Sequence, residues 1–394
     1  MTATRLSVEH AHTVIIGAGH AGVECAWALR AAEVSGTILL FSAESHLPYE
    51  RPPLSKGLLS GKTDAARMAL RADAAYEKAN IVRVTNDPVV TLDTASRTVH
   101  TQSGRSVTYD HCVLATGAVA RALPGLSGPD VLSVRTLDDA HALRESLTPG
   151  TRLLVVGGGY LGLEAACTAI GLGASVRVLE QSASVMPGKV SSHTADRIAR
   201  LHIDAGVDMV HGARVARWIK ESQGWRVELQ DGRTFEADVV LVAIGAQADT
   251  ALARAAGLMC EDGIVIDEAC RTSAPGVYAI GDCASAMRAE VGRRMRIESV
   301  NNALCTARAA AAHIGERAMP PLRAPTFWSE QHGRRLQMAG LVDPGLPCND
   351  DYQETSKGWL VKRYQNGKLA AIEAVDSPVE FVKTVTQIGQ PPAH

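Results

Sequence analysis

One supersecondary pattern occurs twice in this 394-residue chain, and it limits the possible folds more than any other feature. The β-branched run at residues 12–16 leads into Gly17-Ala18-Gly19-His20-Ala21-Gly22. Residues 23–32, rich in Ala, Leu and Glu, predict a helix. Residues 36–41 predict a buried strand, and Glu44 follows. The second copy begins at residues 152–156 and continues through Gly157-Gly158-Gly159-Tyr160-Leu161-Gly162. A predicted helix over 163–172 and a strand over 174–179 end at Glu180. Each copy is strand, glycine turn, helix, strand, acid. In such a turn the first glycine makes the tight bend, the second lets backbone approach a pyrophosphate, and the third lets helix and strand pack closely. The helix N-terminus offers N–H groups to the phosphates, and the acid can accept ribose hydroxyls. A single copy could be a plain tight turn. Two copies in the same context point to two dinucleotides, a bound flavin and a nicotinamide.

Glu180 bears on the choice of nicotinamide. A carboxylate suits a free 2′-hydroxyl and repels a 2′-phosphate. Gln181 stands where a phosphate site would want Arg. The pattern favours NADH over NADPH.

Composition narrows the class further. Hydrophobic residues make up 46% and charged residues 21%, which fits a folded globular protein and excludes a disordered chain or a fibre. Lys and Arg total 40 against 42 Asp and Glu, so broad nucleic-acid binding has no electrostatic support. The eight cysteines include no Cys-x-x-Cys spacing, which argues against a zinc ribbon or a thioredoxin-like dithiol, and no metal site is expected. Most read as small apolar residues in a reduced, cytoplasmic chain, and Cys25 and Cys167, in the glycine-motif helices, read as buried packing thiols. Residues 1–12 show no apolar leader, and no apolar stretch is long enough to span a bilayer.

The remaining segments read as β-rich at 81–120 and again at 207–245, with a strand and turn at 276–282 closing on Gly281-Asp282. Pro320 and Pro321 mark a linker to a mixed tail at 325–394. The Gly-Asp turn aims one carboxylate and one helix N-terminus at a polyol phosphate; its plain alternative is an Asp cap.

These motifs together resemble the FAD-dependent pyridine nucleotide reductases, and within them the ferredoxin reductases that serve Rieske-type oxygenases and bacterial cytochromes P450. The resemblance covers essentially the whole chain. It is carried by Gly17–Gly22, Pro48-Tyr49-Glu50-Arg51-Pro52-Pro53-Leu54-Ser55-Lys56, Leu114-Ala115-Thr116-Gly117, the second glycine turn through Glu164, Gly281-Asp282, Ile297-Glu298-Ser299-Val300-Asn301-Asn302-Ala303 and Phe327-Trp328-Ser329-Glu330-Gln331.

The resemblance implies an α/β fold like that of glutathione reductase. It has two Rossmann-like dinucleotide-binding domains and a small C-terminal α+β domain. Residues 1–120 with 247–321 would bind FAD, 121–246 would bind NADH, and 322–394 would form an interface domain. It implies that Gly17, Gly19, His20, Ala21 and Gly22 cradle the FAD pyrophosphate, with Glu44 near the adenosine ribose and Asp282 on the ribityl chain. Arg51, Val89, Ala115, Thr116, Gly117, Arg121, Gly281, Glu298, Ser299 and Val300 complete the implied FAD set. For NADH the implied set is Gly157, Gly159, Tyr160, Leu161, Gly162, Glu180, Ile244 and Gly245. Lys56, paired with Glu164, would lie beside the flavin and stabilise negative charge on it; both could instead be solvated surface charges. Trp328 would pack near the flavin or act as a core aromatic. Tyr160 would stand where nicotinamide approaches.

Electrons would pass from NADH through FAD, one at a time, to a [2Fe–2S] ferredoxin that feeds an oxygenase. A rubredoxin is the alternative acceptor, and an NADH-sensing flavoprotein of the apoptosis-inducing-factor type is a third reading. No nucleic acid or membrane partner is expected, and the oligomeric state stays open. Residues 45–60 hold no Cys, so no dithiol relays electrons beside the flavin. Arg334-Arg335 and Lys362-Arg363 are candidate contacts for an acidic partner. Two departures from the family stand out. Cys305-Thr306 replaces the usual Glu-Gln pair, and a usual Pro is missing from Gly245-Ala246-Gln247-Ala248-Asp249-Thr250.

Overall fold

The computed structural model describes residues 9–321 and 323–392. The reading of residues 1–12 falls partly on residues 1–8, outside the described residues. The chain divides into two compact units. The first holds the described residues of Met1–Glu50, Met68–Val119 and Gln247–Pro325, and the second holds those of Arg51–Arg67, Ala120–Ala246 and Thr326–His394.

In the first unit, Glu9–Ile16 is the central strand. It pairs in parallel with Ile38–Phe41 on one side and Ser106–Leu114 on the other. Ile81–Val84 extends the sheet beyond Ile38–Phe41, and Val277–Ala279 joins Ser106–Leu114 in parallel. An antiparallel meander, Val89–Asp93 and Thr98–Thr101, completes seven strands. Val14, Leu39 and Cys112 lie in register, all fully buried. Such continuous apolar runs belong to parallel strands covered on both faces. The helices His20–Ala31 and Val300–Ile314 pack against each other and the sheet.

The second unit repeats this plan. Its parallel order is Asp208–His211, Ser175–Glu180, Arg152–Val156, Val239–Val242, Val131–Leu132. A three-stranded meander, Val215–Lys220, Trp225–Leu229 and Thr234–Ala237, follows. The tail forms a five-stranded antiparallel sheet with helix Pro378–Val385 against it through Phe381. This α+β tail is the expected architecture.

One packing contact within the second unit positions the site. Leu163, on the helix Tyr160–Gly171, shares a buried cluster with Leu336, Met338, Trp359, Val361 and Val375 of the antiparallel sheet. The strand Thr326–Gln331 alternates, so Ser329 and Gln331 are buried while Trp328 and Glu330 are exposed. Period-2 alternation therefore turns two polar side chains toward the dinucleotide helix.

Candidate functional site

The two glycine turns match position by position. Gly17 has φ +110° and Gly157 has φ +109°, values that L side chains rarely adopt. A Cβ on Gly17 would lie 2.2 Å from the Ala115 carbonyl oxygen, and one on Gly157 would lie 2.4 Å from that of Ala243. Gly22 and Gly162 pass 1.9 and 2.1 Å from the carbonyls of Gly17 and Gly157, measured the same way. The middle glycines differ: a Cβ on Gly19 or Gly159 would meet nothing within 4 Å. Each faces open space at the start of its helix, and neither helix has a side-chain cap or an acid in its first turn. That is the cradle a pyrophosphate fits, with N–H groups pointing into it.

In the first unit Ala115, Thr116 and Gly281 lie against this turn. Ala115 N–H donates to Ile16 at 2.8 Å, and Thr116 Oγ1 donates to the Asp249 carbonyl at 2.6 Å. Gly117, at φ +75°, accepts from Asp249 N–H at 3.0 Å. The segment that lacks the usual Pro is thus held through Asp249. Gly281 has φ +70°, and a Cβ there would lie 2.9 Å from that of Ala21. The Gly281 N–H donates to Thr306 Oγ1 at 2.9 Å, and Thr306 donates in turn to Asn302 at 2.8 Å. The unexpected Thr306 therefore fixes the turn that carries Asp282. Ser299 caps the helix that begins at Val300, accepting from Asn302 N–H at 3.1 Å. Glu298 is ion-paired with Arg296. Glu44 accepts from the Tyr49 hydroxyl at 2.5 Å. Val89 opens the meander, half-buried.

The second unit holds Arg51, Lys56, Arg121, Tyr160, Glu164, Glu180 and Trp328. Glu180 is buried, accepting from Gly158 N–H at 2.8 Å and Ser182 N–H at 2.7 Å. Ile244 is half-buried and Gly245, at φ +97°, accepts from Arg121 N–H at 3.0 Å. Arg121 Nε donates to Ala246 at 3.1 Å, and Arg51 Nη1 donates to the Arg135 carbonyl at 2.5 Å. Leu161 lies in the first turn of the Tyr160–Gly171 helix. The Tyr160 hydroxyl meets Met338 Sδ at 3.1 Å, and burial pushes the phenol pKa upward.

Lys56 and Glu164 are not solvated surface charges. The Pro52–Ser55 3₁₀ turn, with prolines presetting its backbone, delivers Ser55 and Lys56 to Glu164. Lys56 Nζ lies 2.7 Å from Glu164 Oε2, and Ser55 Oγ donates to the same oxygen at 2.7 Å. Ser329 Oγ donates to Oε1 at 2.5 Å, and the carboxylate is buried. Lys56 Nζ sits 4.8 Å from the Trp328 ring centroid, a cation–π distance. Trp328 is 41% exposed, which excludes the core-aromatic reading.

Sequence reasoning missed Ser55, Gln331, His202 and His332, which continue the network from Ser329. Cys167 also departs from the expected buried packing thiol. It is half-buried, and its Sγ accepts from His332 N–H at 3.1 Å. Cys25 is fully buried, as expected. Of the basic pairs, Arg363 is held by Asp350 at 3.1 Å and by buried Glu373 at 3.3 Å, and Arg334 by Asp376 at 2.7 Å. Arg335 alone is exposed among these arginines.

Residues 11–307 match the family model described as pyridine nucleotide-disulphide oxidoreductase. The chain belongs to the pyridine nucleotide-disulphide oxidoreductase family. Residues 326–390 match the model described as reductase C-terminal. Among family members, the probable ferredoxin reductase CtmF of Castellaniella defragrans is 38% identical, covering 93% of this chain and 91% of that protein. A rubredoxin-NAD(+) reductase of Pseudomonas putida is 35% identical over 93% of this chain and 96% of its own. The crystal structure of the covalent putidaredoxin reductase–putidaredoxin complex matches with TM-score 0.91 and 36% identity, covering 96% of this chain and 92% of that one. The family uses FAD and NAD(H), and the two open glycine cradles fit both groups. No helix among the described residues is long and apolar enough to cross a membrane.

Proposed function

We infer that the chain is an NADH-dependent FAD reductase that passes single electrons to a [2Fe–2S] ferredoxin serving an oxygenase. The observation that carries this reading is the pair of superposable glycine turns, each with an open middle glycine, in a chain that aligns end to end with ferredoxin reductases. FAD, when bound, supplies the conversion of a two-electron hydride into single electrons. The chain's residues hold and orient. The cradle at Gly17, Gly19, His20, Ala21 and Gly22 takes the FAD pyrophosphate, Glu44 the adenosine ribose and Asp282 the ribityl chain. The cradle at Gly157, Gly159 and Gly162 takes the pyrophosphate of NADH, and Glu180 takes its ribose. Lys56, fixed by Glu164, would present an ammonium to the flavin, where a fixed positive charge favours electron uptake.

The domain assignment proposed is FAD on 1–120 and 247–321, NADH on 121–246, and an interface domain on 322–394. The absence of Cys from residues 45–60 supports direct transfer to an outside acceptor rather than through a dithiol. Unpaired thiols at every cysteine fit a cytoplasmic setting. The likeness to a rubredoxin-NAD(+) reductase keeps rubredoxin as the second reading of the acceptor. The test is turnover of cytochrome c by the purified protein with NADH, a ferredoxin or a rubredoxin in between. Ferredoxin-dependent turnover supports the reading. Turnover with rubredoxin alone replaces it.

A further inference from the structure

A single line of hydrogen bonds runs through the second unit away from Glu164. Ser329 Oγ meets Glu164 Oε1 at 2.5 Å, and Gln331 Nε2 meets Ser329 Oγ at 3.0 Å. Gln331 Oε1 meets His202 Nε2 at 2.9 Å, and His202 Nδ1 meets His332 Nε2 at 3.0 Å. Ser329, Gln331 and His202 are buried, His202 completely, and the two imidazoles stand edge to face with centroids 4.4 Å apart.

The chemistry of each group fixes the direction of the whole line. The Glu164 carboxylate only accepts, so Ser329 donates to it. The Ser329 oxygen then receives the Gln331 amide N–H. The reversed amide would set its oxygen against a hydroxyl already donating to Glu164, leaving two acceptors face to face. The Gln331 oxygen only accepts, so His202 carries its proton on Nε2. A neutral His202 then accepts on Nδ1, and His332 carries a proton on Nε2. Burial of His202 lowers its pKa to about 4, which keeps the ring neutral near pH 7. Cys167 Sγ, accepting the backbone N–H of His332 at 3.1 Å, anchors the main chain at the outer end.

We propose that His202 and His332 are positioning residues for the Lys56–Glu164 pair, acting through Gln331 and Ser329. The line from His332 to Ser329 delivers a hydroxyl proton to one Glu164 oxygen. The other oxygen takes Ser55 and Lys56. With donors on both sides, the carboxylate has one orientation, and so does the ammonium bound to it. Losing the imidazole leaves the buried Gln331 carbonyl unpaired and frees the amide, the hydroxyl and then the carboxylate to turn. The proposal rests on the reading that Lys56 serves the flavin.

The test has two parts. Long-range proton–nitrogen NMR of the ¹⁵N-histidine-labelled holoenzyme at pH 7.5 should show His202 and His332 both neutral and both protonated on Nε2. Anaerobic stopped-flow bleaching by NADH should slow about tenfold in His202→Leu with the apparent NADH affinity unchanged. His202→Gln, which keeps a donor and an acceptor and never ionises, should return to within about twofold of wild type. A proton on His202 Nδ1, equal slowing in His202→Leu and His202→Gln, or no slowing in His202→Leu would overturn the proposal. Lys56→Met, measured alongside, locates such a failure. If it alone is slow, the relay is wrong and the role of Lys56 stands; if it bleaches like wild type, the reading of Lys56 falls as well.

Discussion

The Glu180 carboxylate accepts the N–H of Gly158 at 2.8 Å, so the acid at the end of the strand is tied to the glycine turn it serves. Its other oxygen accepts from Ser182 at 2.7 Å. Both bonds aim the carboxylate along the turn, and each oxygen keeps a lone pair for a ribose hydroxyl. Glu180→Ala should raise the KM for NADH about tenfold, the worth of one hydrogen bond to a charged group. It should also narrow the preference for NADH over NADPH, because the charge that repels a 2′-phosphate is gone. Steady-state kinetics with both nucleotides checks this, and an unchanged ratio would contradict it.

The glycines of each turn should separate by function. Gly17→Ala and Gly22→Ala drive a Cβ into carbonyl oxygens and should cost several kcal/mol, on the order of 4. Gly19→Ala meets no protein atom and has φ −79°, so the chain should fold with a near-normal Tm yet lose FAD. Gly159→Ala should retain FAD and bind NADH poorly. Flavin absorbance per chain and thermal melting distinguish the cases.

Stability should fall as pH drops from about 6.5 toward 4. The His202 pKa, ordinarily near 6.5, is lowered to about 4 by burial, so the unfolded chain binds a proton in that window that the folded chain does not. The stabilising contribution is complete above pH 6.5 and declines below it, by about 3 kcal/mol in total for a shift of this size. Burial lowers the pKa of His111 and His332 in the same direction. His202→Gln should flatten the fall, measured as denaturant midpoints from pH 4 to 8.

Arg335 is the charge to alter if the antiparallel sheet meets an acidic carrier. Arg335→Glu should slow ferredoxin reduction about fivefold at low salt, with a smaller effect at high salt, and spare ferricyanide reduction. Arg334→Glu instead faces Asp376 and should lower Tm.

Much of this was legible in the chain because glycine spacing is a backbone requirement. Gly17 and Gly157 reach nearly equal φ angles by the same carbonyl clash, so one pattern appears twice in sequence and twice in space. The pairing of Lys56 with Glu164 was reached only through family resemblance, since 108 positions separate them and no local rule joins them. Ser329 and Gln331 left no readable trace, because Glu330 between them is equally polar and only the burial of the strand separates them. His202 lies four positions after Ile198 on the buried stripe of the helix Ser192–Asp204, so its burial was readable, but its partners Gln331 and His332, 129 and 130 positions away, were not. The setting of Arg363 was hidden for the converse reason: charge in sequence does not reveal that Asp350 and Glu373 enclose it. Thr306 looked like a loss of the usual family pair, and its role at Gly281 appears only when the helix is placed beside the turn.

The most direct test of the account is stopped-flow absorbance of the purified yellow protein mixed anaerobically with NADH, then with a panel of ferredoxins and a rubredoxin. The account predicts fast bleaching by NADH, slower bleaching by NADPH, and fast recovery of the yellow form with a [2Fe–2S] ferredoxin. Bleaching that persists with every carrier would contradict it, and the long-lived reduced state would fit a sensor instead.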